Sequence, residues 1–197
     1  MTQSSFKVAI TGGIGSGKSR VAEIIKRKGY PVISCDEIYG ELLKDKNFLN
    51  NLVNNFGDIL DENEELDRKK LSAIVFSDSR KLNLLNELTH SEIIGEALRR
   101  SENFILSFCE VPLLFENGYE KLFDGVIVVL RNEEDRISSV VERDKISREE
   151  VIKRINRQYN YSNFDFAEYY VIYNNSDLCE LEQKTLKILK SIVNKIS

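Results

Sequence analysis

The sequence predicts an α/β fold in which a five-stranded parallel sheet lies between two layers of helices. Five short apolar segments are predicted strands, at residues 6–11, 31–34, 104–111, 124–130 and 169–173. Helical patterns separate most of them, and strands that alternate with helices pair in parallel with helices on both faces. The segment 124–130 (DGVIVVL) is almost continuously apolar, as expected of a strand that is covered on both sides.

The helices have clear sequence signals of their own. The segment 21–28 (VAEIIKRK) is amphipathic and stops at Gly29. Helices are also predicted at about 133–141 and 148–159, and an amphipathic helix spans 178–196. Residues 37–100 contain several helical pieces and no convincing strand, separated by the polar turn GDILDENEEL. This block is longer than a crossover needs, so we expect it to bind an acceptor substrate, with extra packing as the alternative.

A glycine-rich loop lies between the first strand and the first helix. Residues 11–19 (TGGIGSGKS) fit the pattern G-x-x-x-x-G-K-[ST], with Gly12 and Gly17 as the outer glycines. Glycines let the backbone fold into a concave nest of N–H groups, and the start of the following helix favours an anion. The alternative is a glycine turn before an ordinary helix.

The loop and its flanks predict a binding site for nucleotide phosphates. We expect Lys18 to bridge the β- and γ-phosphates of ATP and the Ser19 hydroxyl to bind Mg²⁺. The predicted phosphate-binding residues are Gly13, Ile14, Gly15, Ser16, Gly17, Lys18, Ser19 and Arg20.

Composition limits the other possibilities. A length of 197 residues indicates one domain, and a net charge of −4 argues against a general nucleic-acid-binding surface. No apolar run approaches the length of a membrane span, and MTQSSFK does not resemble a signal peptide. Three widely spaced cysteines fit reduced, buried thiols, so we expect a cytoplasmic protein that binds no membrane.

Two acidic residues follow predicted strands, at the sheet edge where ligands bind in such folds. Asp36 comes after the second strand and would accept the proton of an attacking hydroxyl, although a helix N-cap at Cys35 or Asp36 is an equal alternative. Glu110 ends the third strand and would orient Mg²⁺ or its waters. Several arginines follow the fourth strand. Most of them are expected to be solvated partners of nearby acids, with closure of one or two over the triphosphate as the alternative. These arginines are Arg136, Arg143, Arg148, Arg154 and Arg157.

Taken together, the chain resembles the dephospho-CoA kinase family from end to end. The resemblance includes TGGIGSGKS, the V-I-x-x-D element ending at Asp36, and L-x-R-x-x-L around Arg68. It continues through His90, VPLLFE at 111–116, DGVIVVL, E-R-D at 142–144, Gln158 and YYVIYNN.

The resemblance implies a three-layer P-loop NTPase fold with a helical acceptor-binding insertion and a helical lid. The implied core is 1–36, 101–140 and 165–197, the CoA-binding insertion is 37–100, and the lid is about 141–164. The implied reaction is transfer of the ATP γ-phosphoryl group to the ribose 3′-hydroxyl of dephospho-CoA by a monomer or small homo-oligomer.

The resemblance also assigns roles to individual residues. Asp36, Lys18 and Arg143 are implied catalytic residues, the last as a lid arginine. Asn174 and Asn175 match a loop near the adenine. The implied acceptor-binding residues are Asp36, Arg68, His90, Pro112 and Leu113.

The chain departs from the family pattern at Arg20, Ser34, Ser91 and Ser176, none of which removes Lys18, Ser19 or Asp36. A GTP-dependent switch is disfavoured, because the chain has no D-x-x-G and no guanine-reading N-K-x-D. Another small-molecule kinase of the same fold is the nearest alternative, and a scaffold with a vestigial loop is the more distant one.

Overall fold

A computed structural model describes residues 5–161 and 165–196 and contains the predicted five-stranded sheet. The strands are β1 (Phe6–Thr11), β2 (Val32–Ser34), β3 (Leu106–Glu110), β4 (Gly125–Leu130) and β5 (Tyr170–Tyr173). The helices are α1 (Lys18–Arg27), α2 (Cys35–Leu42), α3 (Lys46–Phe56), α4 (Arg68–Phe76), α5 (Ser79–Ser101), α6 (Glu133–Asp144), α7 (Arg148–Ile155) and α8 (Leu178–Ile196), and a short 3-10 helix covers Tyr119–Leu122.

The sheet has the strand order β2-β3-β1-β4-β5, which places β1 at its centre. β1 pairs in parallel with β3 and with β4, and β4 pairs in parallel with β5. The chain thus moves to one side of β1 for β2 and β3 and to the other side for β4 and β5. The glycine loop leaves the carboxyl end of β1, where a parallel sheet offers its ligand-binding edge.

One face of the sheet is covered by α1 and α8. Alternate residues of β1 and β4, among them Ile10 and Ile127, pack with Ile25 of α1 and Ile192 of α8, and all four are fully buried. The intervening residues Ala9 and Val128 are also fully buried, as in a sheet covered on both faces. The α/β fold class is therefore confirmed.

The helix pair α6–α7 has a small apolar core of its own. Ile137 and Val140 of α6 pack with Val151 of α7, and the side chain of Ile14 from the glycine loop packs against them. Ser147 begins α7 with a capping box, in which its hydroxyl accepts the Glu150 N–H and the Glu150 carboxylate accepts the Ser147 N–H.

Residues Ser34–Arg100 form a compact helical unit, distinct from the unit made by the segments up to Ile33 and from Ser101 onward. Its core joins Phe48 and Leu52 of α3 to Leu71 and Val75 of α4. Aspartates begin two of its helices. Asp45 caps α3 by accepting the Phe48 N–H, and Asp67 caps α4 by accepting the N–H groups of Lys69 and Lys70.

Three sequence predictions need correction in detail. Helix α7 ends at Ile155 and not at residue 159, because the N–H groups of Arg157 and Gln158 bond to carbonyls three residues back, Arg154 and Ile155, in place of the α-helical four. Strand β3 begins at Leu106, two residues late, after a turn in which the Phe104 N–H bonds to the Ser101 carbonyl. Cys35 and Cys109 are buried and form no disulfide, as expected, but Cys179 is exposed on α8.

None of the helices in the described part of the chain is both long and apolar enough to cross a membrane.

Candidate active site

The glycine loop connects β1 to α1 in a tight, concave turn. The Ser16 N–H bonds to the Gly13 carbonyl at 3.1 Å, and the Gly17 carbonyl accepts the N–H groups of Arg20 and Val21 in the first turn of α1. Gly17 is the N-cap of α1 with a left-handed φ of 96°, and Gly15 also has a left-handed φ of 75°. Only glycine adopts such angles at little cost, so the loop requires glycine at both positions.

The loop is also closely surrounded. A Cβ added at Gly15 would lie 2.6 Å from the backbone oxygen of Arg136, and one added at Gly17 would overlap the Asn174 amide. A Cβ at Gly13 would overlap the Arg136 guanidinium. The glycines therefore allow α6 and the segment after β5 to approach the loop backbone directly.

Side chains from several elements hold the peptide groups of the loop. Arg136 Nε donates to the Ile14 carbonyl at 2.9 Å, and Asn174 Nδ2 donates to the Ser16 carbonyl at 2.9 Å. The Ile14 N–H donates to Gln158 Oε1 at 2.7 Å. Burial of the Arg136 guanidinium lowers its pKa.

The structure brings together the two predicted metal ligands. The Ser19 hydroxyl donates to Glu110 Oε1, with 2.5 Å between the oxygens. Ser19 lies in the first turn of α1, and Glu110 is the last residue of β3, so the neighbouring strands β1 and β3 set their separation. In the described part of the chain, no group of three or more His, Cys, Asp or Glu residues could hold a metal ion. One carboxylate and one hydroxyl fit Mg²⁺, which keeps most of its water and phosphate ligands.

A cavity of about 330 Å³ adjoins the glycine loop. Gly13 and Ser16 form one wall, and Asn175, which was predicted near the adenine, forms another. The Asn175 side chain also accepts the Asn132 N–H at 2.9 Å and so ties the segment after β5 to the start of α6. Aromatic side chains of Tyr161, Phe166 and Tyr173 complete the lining, together with Val129, Leu130, Arg131, Asn132 and Arg136.

The segment after β3 contains Pro112 and Leu113 and leads into an aromatic cluster. Leu113 has a left-handed φ of 56°, which is unusual for a side chain of this kind. Two residues further on, Phe115 contacts the rings of Tyr159 and Tyr169, with centroids 5.2 and 5.5 Å apart. Burial raises the pKa of Tyr161, whose ring also contacts Phe115, to about 12.

Two predicted arginines have acidic partners. Arg143 makes a two-point contact with the adjacent Asp144, at 2.6 and 3.1 Å, and lowers the pKa of that carboxyl. Arg20 pairs with Glu23 at 3.3 Å along α1, and both side chains are exposed. Their predicted contacts with phosphate stay predictions.

The remaining predicted residues lie in the helical unit. Asp36 is exposed in the first turn of α2, but it is not the helix cap. The cap is Ser34, whose hydroxyl accepts the Glu37 N–H at 3.3 Å, so the N-cap alternative for Asp36 is wrong. Arg68 begins α4 and lines a groove of about 730 Å³ with Glu37 and Lys44. His90 lies within α5.

The sequence did not identify how Arg136 and Gln158 bind the loop. Arg136 was grouped with arginines expected to be solvated, yet it is half-buried against the loop. Arg136 lies four residues before the buried Val140 and therefore near the apolar face of α6. This spacing was the feature of the sequence that could have indicated its burial. Gln158 was noted only as a matching position.

The site has the parts of a P-loop protein of the kinase type. A glycine loop between a strand and a helix is followed by Lys18 and Ser19, and the Ser19 hydroxyl is hydrogen-bonded to Glu110 at the end of β3. A family model described as dephospho-CoA kinase matches residues 6–180. The chain is 36% identical over 188 residues to the dephospho-CoA kinase of Fusobacterium nucleatum, covering 94% of this chain and 97% of the relative. It is 35% identical over 195 residues to the dephospho-CoA kinase of Lactobacillus johnsonii, and the match covers 95% of this chain and 98% of the relative.

Solved structures agree with these relationships. A Thermus thermophilus protein superposes with a TM-score of 0.80 at 30% identity and covers 98% of each chain. Dephospho-CoA kinase from Campylobacter jejuni superposes with a TM-score of 0.68 at 28% identity, and the match covers 97% of this chain and 98% of the other. Shikimate kinase from Acinetobacter baumannii shares the fold, with a TM-score of 0.57 at 13% identity. That match covers 98% of this chain and 96% of the other. The chain belongs to the dephospho-CoA kinase family.

Proposed function

We propose that this protein transfers the γ-phosphoryl group of Mg·ATP to the ribose 3′-hydroxyl of dephospho-CoA, giving CoA and ADP. The observation that carries the proposal is the match to the dephospho-CoA kinase family over residues 6–180, in a chain whose glycine loop retains Lys18 and Ser19. The reaction is the last step of coenzyme A biosynthesis.

In this proposal the glycine loop holds the triphosphate. Backbone N–H groups of the loop and the N-terminus of α1 bind phosphate oxygens, and Lys18, the first residue of α1, contributes a positive charge. Because charge moves onto these oxygens during transfer, fixed donors stabilise the transition state without reorganising.

Ser19 and Glu110 would hold Mg²⁺, directly or through its water ligands. Their oxygens are 2.5 Å apart, so both can face one ion with a small adjustment. Bound Mg²⁺ supplies electrostatic neutralisation of the phosphate oxygens.

Asp36 would accept the proton of the attacking ribose hydroxyl or orient that hydroxyl. Support comes from its place in the first turn of α2, where Ser34 provides the helix cap and leaves the Asp36 carboxylate exposed. Arg143 would exchange Asp144 for phosphate as a lid arginine, because its 63% exposed side chain is accessible to solvent.

The helical insertion, residues 37–100, would bind the acceptor. The groove of about 730 Å³ at Arg68 supports this role by its size. Arg68, Lys44 and Lys46 offer cations to an anionic acceptor, among four glutamates that line the same groove, Glu37, Glu41, Glu64 and Glu65. His90, Pro112 and Leu113 would complete the acceptor site, and Asn174 and Asn175 would lie near the adenine of ATP. We also expect a cytoplasmic monomer or small homo-oligomer that uses no nucleic acid or membrane. Two buried cysteines that form no disulfide fit a reducing compartment.

ADP release by the purified protein tests the proposal, with dephospho-CoA, adenosine, AMP and CoA compared as acceptors in the presence of Mg·ATP. We expect stimulation by dephospho-CoA alone. Stimulation by adenosine or AMP instead would identify another small-molecule kinase of this fold, and no stimulation by any acceptor would favour a scaffold.

A further inference from the structure

The amide of Ile14 is held by a side chain from the end of α7. Gln158 lies three residues beyond the last residue of that helix, is half-buried, and accepts the Ile14 N–H at 2.7 Å. The Ile14 side chain packs into the apolar core of the helix pair α6–α7, and Arg136 of α6 holds the Ile14 carbonyl. One loop residue is therefore fixed to this helix pair at three points.

Peptide geometry transmits these contacts along the loop. In a planar trans peptide the C=O and the following N–H point in opposite directions, and the described chain has no cis peptide bond. Holding the Ile14 N–H therefore fixes the direction of the Gly13 carbonyl, which accepts the Ser16 N–H at 3.1 Å and closes the turn. Holding the Ile14 carbonyl fixes the direction of the Gly15 N–H in the same way.

We propose that Gln158 is a positioning residue for ATP, which sets the conformation of the glycine loop from the end of α7 through the Ile14 amide. This inference rests on the proposed use of ATP. A glycine loop is costly to order, because glycine has the largest conformational freedom to lose. A loop already fixed by Gln158 loses less of that freedom when the triphosphate binds.

The residue after Gln158 supports a fixed position for this segment. The Tyr159 N–H donates to Glu116 Oε1 at 2.7 Å, and the Tyr159 ring packs on Phe115. The backbone around Gln158 is thus held by the segment after β3 through Tyr159, and by α7 through the bond of the Gln158 N–H to the Ile155 carbonyl at 3.0 Å.

Three variants test the role of the Gln158 oxygen. Gln158→Met keeps the length of the side chain but removes the acceptor, Gln158→Glu keeps an acceptor oxygen, and Asn156→Met makes a similar change at an exposed residue of the same helix end. The readouts are the dissociation constant for Mg·ATP, measured directly without acceptor, and hydrogen exchange of the Ile14 amide in the ATP-free protein.

We expect Gln158→Met to weaken ATP binding about tenfold, since it leaves the Ile14 N–H without its acceptor. Ile14 exchange should accelerate in the same variant, while Asn156→Met stays near the unmodified protein in both readouts. Gln158→Glu retains the acceptor and should keep the slow exchange of Ile14, but its added negative charge beside the loop should weaken binding of the anionic triphosphate. The KM for dephospho-CoA should change little. If Gln158→Met also lowers the melting temperature, the exchange measurement remains informative. Asn156→Met and Gln158→Glu change the same helix end, so they show how much exchange results from disturbing this end and how much from losing the acceptor.

Unchanged ATP affinity or unchanged Ile14 protection in Gln158→Met would overturn the inference, as would exchange of Ile14 in Gln158→Glu as fast as in Gln158→Met. Neither readout involves an acceptor. If the protein binds ATP but does not phosphorylate dephospho-CoA, the proposed function is contradicted, and the role of Gln158 can still be tested.

Discussion

The Ser19 hydroxyl and the Glu110 carboxylate are hydrogen-bonded, with 2.5 Å between Oγ and Oε1. The pair joins the first turn of the helix after the glycine loop to the end of the neighbouring strand β3. Both residues were predicted from the sequence as metal ligands, and a strand-end carboxylate beside the P-loop serine is the arrangement that P-loop enzymes use for Mg²⁺.

Glu110→Gln should raise the Mg²⁺ concentration needed for half-maximal turnover by about tenfold, because the amide keeps an acceptor oxygen but loses the charge that attracts the cation. A magnesium titration at saturating ATP and acceptor measures the change, with the exposed Glu102→Gln as a matched control. An identical magnesium dependence in the two variants would contradict a metal role for Glu110.

Gly15→Ala should abolish most ATP binding. The new Cβ would lie 2.6 Å from the Arg136 carbonyl oxygen, at a residue whose φ of 75° already disfavours any side chain. Gly95→Ala is the matched control, since Gly95 is exposed within α5 and nothing lies within 4 Å of an added Cβ.

Alanine at position 95 should raise the melting temperature by about 2–4 °C, because it is roughly 1 kcal/mol better than glycine inside a helix. Direct ATP binding and thermal unfolding of both variants check this pair. ATP affinity in Gly15→Ala close to that of Gly95→Ala would show that the loop tolerates the side chain.

Acid should weaken the helical unit through Glu96. Hydrogen bonds from Arg99, and then from Arg100, lower the pKa of Glu96 from 4.5 to about 2. Since the folded-state pKa is the lower one, these contacts stabilise the fold fully above pH 4.5 and are lost as the pH falls towards 2. Arg100 also pairs with Glu41 of α2, so Glu96 helps to hold the arginine that links α5 to α2.

Glu96→Gln should therefore lower the melting temperature by a few degrees at pH 7 and flatten its fall between about pH 4.5 and pH 2. Thermal unfolding across this range measures the effect, with the exposed Glu92→Gln one turn earlier in α5 as the control. Equal pH profiles for the two variants would exclude Glu96 as the responsible carboxylate.

Asp36→Asn should slow phosphoryl transfer on the order of 10²-fold or more if the carboxylate accepts the hydroxyl proton, while ATP binding stays nearly intact. Ser34, which provides the cap of α2, is unchanged in this variant, so helix loss is not expected. Turnover and ATP affinity measured on the same preparation separate the two effects. Near-normal turnover would remove Asp36 from the chemistry.

The fold was largely predictable because its signals are local. Apolar strands, the glycine pattern and the helix periodicity each lie within a short window, and the proximity of Glu110 to Ser19 followed from the strand-end position of Glu110. The contacts of Gln158 and Arg136 with Ile14 were not predictable, since they join residues 144 and 122 positions apart. The cap of α2 was predicted one or two residues late, because Ser34 belongs to both the end of β2 and the start of the helix.

Product analysis tests the central claim most directly. After reaction of the purified protein with Mg·ATP and dephospho-CoA, mass spectrometry and phosphorus NMR identify which hydroxyl carries the new phosphate. We expect CoA, with the phosphate on the ribose 3′-oxygen and one ADP formed for each CoA. Hydrolysis of ATP with dephospho-CoA left unchanged, or phosphate on another position, would contradict it.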